Sequence, residues 1–352
     1  MTETVLVTGG TGFIGATILI QLLEAGNYQV RTTVRSISKA DFIYSLIKKN
    51  IANITDEQIK QRLEIFEADL TSDKGWEQAI TGVDYVLHVA SPVIEPKDEN
   101  EAIIPARDGT LRVTKLSHKY GAKKIIFTSS FATVGYGHLK YKSIYDENDF
   151  SPLETTIGAY PKSKIEAERV FWEYIRSDKN TKSSHPIIGT ALLPVAVLGP
   201  PPKGLSARSS IELGVRLVNG GFKYGVPKLL LGVIDSRDVA KLHIDAIHNK
   251  ASEGERIILV DQKEKVDFLQ ITEFVRHVPG VNQSNLPTRF LPSWLFKLLA
   301  IFVHQIKGLV PLLDVQFDID NTKSLKIFKD WTPIPVEQTF KDMTKRILEN
   351  EA

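Results

Sequence analysis

The stretch "TVLVTGGTGFIG", residues 4–15, decides the fold. Its apolar opening has strand character, and it runs into Gly9, Gly12 and Gly15 at G-x-x-G-x-x-G spacing, with a helical pattern following at once. Strand, glycines and helix in that order suit a dinucleotide pyrophosphate. Gly9 permits a tight turn, Gly12 lets backbone approach the phosphates, and Gly15 lets the helix pack closely. The positive amino end of that helix, carrying Phe13 and Ile14 in its first turn, favours the anion.

Working outward, "YQVRTTV", "LEIFEADL", "DYVLHVA", "KKIIFTSS" and "IIGTALLPV" read as further strands separated by segments long enough for crossover helices. That alternation predicts an α/β fold, a doubly wound parallel sheet whose ligands lie at the carboxyl ends of the strands. Residues 36–62 form an extended helical insertion, and after "GPPPKG" (199–204) the alternation is lost. We therefore expect a Rossmann domain over 1–197 and a smaller, mixed substrate-binding lobe over 198–352. A strand and helix within 233–260 could return to the first domain.

The 352 residues are 42% apolar and 24% charged, which suits a globular protein and leaves no disordered or repetitive segment. A net charge of +2 without a basic face excludes a nucleic-acid footprint. With no cysteine there is neither a disulfide scaffold nor a thiolate site, and no metal is expected. A cytoplasmic location is the expectation, since strand character starts where a signal peptide would stand. The long apolar segment 291–313 is broken by Lys297 and His304; Ser293, Lys297, Ala300, His304 and Lys307 recur as one polar stripe. A buried amphipathic helix over about 292–308, or a contact in a homodimer, fits it better than a membrane surface, which needs a broader basic face.

Cofactor choice rests on the end of the second strand. NAD binders place an acid there for the ribose hydroxyls, whereas a basic side chain accommodates a 2′-phosphate. "RTTVRSISK" supplies Arg35 and Lys39 and no acid, so NADP(H) is favoured. Asp69 in "FEADL", with Leu70 beside it, is placed to meet the adenine amino group, and Val89, Ala90 and Ser91 in "HVASP" pass under the cofactor. His88 is expected to pack.

In "GAYPKSKIEAER", residues 158–169, Tyr160 and Lys164 stand four apart and face the same way on a helix. An ammonium about 4 Å away stabilises a phenolate by up to ~4 kcal/mol at an effective dielectric of about 20, lowering the phenol before desolvation opposes it. Tyr160 then serves as an acid for a carbonyl oxygen. Pro161 suits the first turn, and Ser130, closing the fifth strand, could hydrogen-bond the same oxygen.

In this order and spacing "VTGGTGFIG", "TSS" and "YPKSK" resemble the extended short-chain dehydrogenase/reductase superfamily. "TVRS", "EADL", "HVASP", "FTSSFATV" and "LLPVAVLGP" resemble its dihydroflavonol 4-reductase, cinnamoyl-CoA reductase and yeast-type aldehyde or methylglyoxal reductase branch. The likeness is dense over residues 4–245 and thin beyond. It implies Ser130, Tyr160 and Lys164 as catalytic triad, with Lys164 also on the nicotinamide ribose and Arg35 and Lys39 on the 2′-phosphate. Pro194 would lie against the nicotinamide beside Val197, and Ser209 aligns with a phosphate-contacting serine.

The expected activity is NADP(H)-dependent reduction of an aldehyde or ketone, with a hydrophobic or aromatic substrate suggested by Phe131 and Tyr136. "SSFATV" lacks the Asp-Glu pair of sugar-nucleotide dehydratases, and "LLPVAVLGP" lacks the polar turn of epimerases. Epimerase, hydroxysteroid dehydrogenase and a non-catalytic NADP-sensing regulator remain the alternatives, the last disfavoured by the intact tyrosine and lysine.

Overall fold

Strand β1 (Thr4–Thr8) buries Val5, Leu6 and Val7 completely. Alternate side chains enter different cores: Val5 and Val7 on one face, Leu6 on the other. A strand covered on both faces needs an unbroken apolar run, which explains why this one does not alternate with polar residues. The computed structural model describes residues 2–92, 98–155, 158–206, 210–262, 265–302 and 310–351.

The same logic builds β2 (Gln29–Val34), β3 (Leu63–Glu67), β4 (Tyr85–His88), β5 (Lys124–Thr128) and β6 (Ile188–Pro194). All six expected strands are present: β1 keeps its expected bounds, and the other five are trimmed by a residue or a few where the chain turns out of the sheet. A seventh, β7 (Arg256–Leu259), pairs parallel with β6, and the sheet runs β3-β2-β1-β4-β5-β6-β7. Strand order reverses between β1 and β4, so ligand chemistry is directed to the crevice outside their carboxyl ends.

Helix α1 (Phe13–Ala25) covers one face and packs against the helix Ser236–His248. The other face is covered by the paired helices Asn100–Lys119 and Ala159–Ile175. The insertion forms two helices, Ala40–Asn50 and Asp56–Arg62, the second started by a Thr55/Gln58 capping box. Beyond residue 199 the helices Ser210–Val218, Phe268–Arg276 and Val336–Glu351 surround a separate core that includes Leu217, Ile271, Val275, Phe340 and Met343.

The helix Ser293–Phe302 corrects the expectation of a fully buried helix there. Phe296 and Ala300 are buried, while Trp294 (68%), Leu298 (46%) and Ile301 (73%) are exposed. Phe296 and Ala300 form the buried edge and Ser293 Oγ donates to Asp314 Oδ2, while among the described residues most of the apolar surface of this helix faces outward. His304 and Lys307 lie outside the described residues. Among the described residues no helix is long and apolar enough to cross a membrane.

Candidate active site

The glycine turn is a cradle fixed from within. Gly9 adopts φ +76, which L side chains rarely tolerate, and Gly12 N donates to its carbonyl at 3.0 Å. A Cβ on Gly15 would fall 2.4 Å from the Gly9 oxygen, so the helix could not sit this close with any side chain there. The first turn of α1 holds no acidic residue and its N-cap Gly12 offers no side-chain acceptor. Those first-turn amides and the dipole behind them fit a pyrophosphate.

Around the cradle, Arg35 and Lys39 are exposed at the end of β2, where Ile37 N donates to Glu67 Oε2 at 2.8 Å. Asp69 accepts from Thr71 N and Thr71 Oγ1; these bonds, with Arg35 and Arg112 nearby and against desolvation, hold its carboxyl below the usual value. Leu70 packs against Gly109 of the neighbouring helix. Val89, Ala90 and Ser91 are half-buried after β4. Thr8 Oγ1 accepts from both Val89 N and Ala90 N at 3.0 Å, which orients its own proton toward His88 Nδ1, also at 3.0 Å. His88 is fully buried and burial, aided by Lys164, lowers it to about 3; it is a neutral packing residue. Ser209 lies outside the described residues.

Ser130, Tyr160 and Lys164 come together at the carboxyl end of β5. Ser130 caps the short helical turn Phe131–Thr133, its Oγ accepting from Ala132 N at 3.1 Å, so its proton is left to donate. Tyr160 sits in the first turn of the helix Ala159–Ile175. It keeps 43% of its surface open, yet it is crowded enough that burial raises its pKa, with the Ser130 hydroxyl opposing. Lys164 is buried, and its Nζ donates to Thr128 O at 3.0 Å. Burial pushes that ammonium down to about 8 while Glu168 opposes. The expectation that Lys164 would lower the phenol is not met: desolvation prevails at both groups, and the ammonium is committed to a backbone carbonyl.

Two buried networks behind these residues were not anticipated. Thr128 Oγ1 stands 2.7 Å from His243 Nε2, while His243 Nδ1 is 2.7 Å from Val239 O. The tautomer with its proton on Nδ1 satisfies both contacts: the ring donates to Val239 O and accepts from Thr128, which fixes the strand end that holds Lys164. Glu168, one helical turn beyond Lys164, accepts from Ser129 Oγ at 2.5 Å and from Arg256 Nε at 2.5 Å. Arg256 also donates to Glu147 O and, at 3.3 Å, to Thr133 Oγ1 in the turn after Ser130.

A cavity of about 510 Å³, counted with its open mouth, adjoins this end of the sheet and is lined by Phe131, Tyr136, Val195, Ala196, Leu230, Leu231, Lys265 and Phe317 among others. Phe131 follows Ser130 directly. Tyr136 meets Phe131 edge to face, with centroids 6.0 Å apart. Burial first, and the neighbouring Tyr160 second, push the Tyr136 phenol up to about 12, so it stays protonated. Pro194 and Val197 are buried, with Val195 and Ala196 between them on the cavity wall.

The family described as 3-beta hydroxysteroid dehydrogenase/isomerase matches residues 6–263. The chain belongs to that family. Dihydroflavonol 4-reductase of Arabidopsis thaliana is 31% identical over 307 residues, covering 82% of this chain and 72% of its own. In fold the family member resembles yeast methylglyoxal/isovaleraldehyde reductase Gre2 complexed with NADPH, at TM-score 0.81, 23% identity and 99% of both chains. Gre2 from Candida albicans in complex with NADPH gives TM-score 0.79 and 25% identity over 99% of this chain and 100% of that one.

Proposed function

We propose that this NADPH-dependent oxidoreductase is a carbonyl reductase, in which Tyr160 protonates the oxygen of an aldehyde or ketone seated in the cavity beside Phe131 and Tyr136. The observation that carries this reading is the Ser130 hydroxyl set against the Tyr160 phenol, next to a cavity with no carboxylate among the described residues that line it. A phenol raised by burial is fully protonated at neutral pH, the form a reduction requires of its acid. Ser130, its acceptor side engaged by Ala132 N, donates to the same carbonyl oxygen and opposes charge build-up there.

NADPH is the cofactor the glycine cradle and basic strand end suit, and two reductases of this fold were solved with it. Gly9, Gly12, Phe13, Ile14 and Gly15 would hold its pyrophosphate, Arg35 and Lys39 its 2′-phosphate, and Lys164 its nicotinamide ribose. When bound, it supplies the hydride. Lys164, held by Thr128 O, would present its ammonium to that ribose from a fixed position.

The reading is tested with a panel of hydrophobic aldehydes, ketones and UDP-sugars followed at the NADPH absorbance band. Consumption of NADPH in step with alcohol formation is expected. Conversion of a sugar nucleotide with no net change in cofactor, and no carbonyl reduction, would replace it with an epimerase. Cofactor choice has its own test: Arg35→Ala is expected to weaken NADPH by about 1.5 to 3 kcal/mol and leave NADH nearly unchanged in equilibrium titrations. Equal losses for both would make Arg35 structural.

A further inference from the structure

Among the described residues that line the apolar cavity, one side chain is formally cationic. Lys265 precedes the short strand Val266–Asp267, which pairs antiparallel with Leu230–Leu231 and so fixes the lysine on the cavity wall. Its Nζ stands 3.3 Å from the centroid of the Phe317 ring. Among the described residues it makes no hydrogen bond and no ion pair. Asp318 acts on it only at a distance, and burial pushes the ammonium down to about 8. Phe317 is itself held rigidly, stacked on Phe131 at 6.0 Å and on Tyr141 at 5.7 Å. A ring face offsets part of the cost of desolvating an ammonium, but it supplies no acceptor for the three N–H groups.

Such a cation in an apolar enclosure is satisfied by an anion brought in with the ligand. The other side chains around it, Phe131, Tyr136, Leu230, Leu231 and Phe317, provide apolar surface and one neutral phenol. One positive charge with apolar surroundings matches a monoanion rather than a phosphate dianion. We infer that Lys265 is the counter-charge for a carboxylate on the substrate, so that the preferred substrate class is an oxo acid with an apolar or aromatic body between carbonyl and carboxylate. This rests on the carbonyl-reductase reading and specifies its substrate.

The test compares 3-benzoylpropanoate with its methyl ester as reducible probes, and measures binding of 4-phenylbutanoate and 4-phenylbutanamide to the NADP⁺-loaded protein by calorimetry. The wild type is expected to favour the acid in kcat/KM, and the carboxylate over the amide in affinity, by about ten- to a hundredfold, the range of a charge-assisted contact. Lys265→Met should abolish both preferences, acting through KM, and leave ester and amide within twofold of the wild type, which also controls for folding. Equal handling of acid and ester by the wild type, with no change on Lys265→Met, would overturn the inference. Carboxylate binding that depends on Lys265, without reduction of either ketone, would uphold the anion site and remove the reductase reading.

Discussion

Tyr160→Phe is expected to cut turnover by roughly two to four decades, the usual worth of a placed proton donor, while leaving NADPH affinity nearly intact. Phenylalanine fills the same space on the first turn of its helix, so what is lost is one O–H at the reacting oxygen. Ser130 cannot substitute for it, because an aliphatic hydroxyl is a far weaker acid than a phenol; with its acceptor side taken by Ala132 N it hydrogen-bonds the oxygen without giving up its proton. Ser130→Ala should therefore cost less than Tyr160→Phe, and Lys164→Met should weaken both turnover and cofactor binding. Single-turnover absorbance at saturating NADPH separates chemistry from binding. A Tyr160→Phe variant that keeps more than a tenth of wild-type turnover would remove the phenol from the mechanism.

The parts of this architecture legible in the sequence are those governed by short-range periodicity. Strands buried on both faces must be unbroken apolar runs, and the glycine turn must carry small residues where a Cβ would strike backbone, so both leave local marks. Tyr160 and Lys164 are visible because a helix brings residues four apart to one face. The same spacing continues to Glu168, and following it one more turn would have found the carboxylate that accepts from Ser129. Arg256 leaves no such mark: it reads as the polar start of a strand, and its partners on the helix and in the turn after Ser130 are brought to it only by the tertiary fold. Lys265 is similar, being one lysine in a polar stretch until Phe317 is folded beneath it. For the helix Ser293–Phe302 the limit is different, since its pattern specifies which side is apolar but not whether another element of the chain covers that side.

Arg256→Met carries the largest expected loss of stability, about 3 to 5 kcal/mol, because it leaves the Glu168 carboxylate buried without its countercharge. Arg256 and Glu168 are 6% and 4% exposed, so water cannot take the place of the missing guanidinium. The same substitution takes the guanidinium from the Glu147 and Asp149 carbonyls and from Thr133 Oγ1, which keeps its bond to Ser130 O; their loops flank Ser130. Replacing both charges, in Glu168→Leu with Arg256→Met, removes the uncompensated anion and should recover much of the stability in urea melts. Turnover should not recover with it. In the double variant Ser129 Oγ lacks its carboxylate and the Glu147 and Asp149 carbonyls their guanidinium, while Thr133 Oγ1 keeps only its bond to Ser130 O, so the loops beside Ser130 remain loose and kcat stays depressed while NADPH affinity is retained. A single variant costing less than about 1 kcal/mol would show that the pair is not held as a buried ion pair. A double variant that recovers turnover along with stability would make the network a structural support with no part in positioning Ser130.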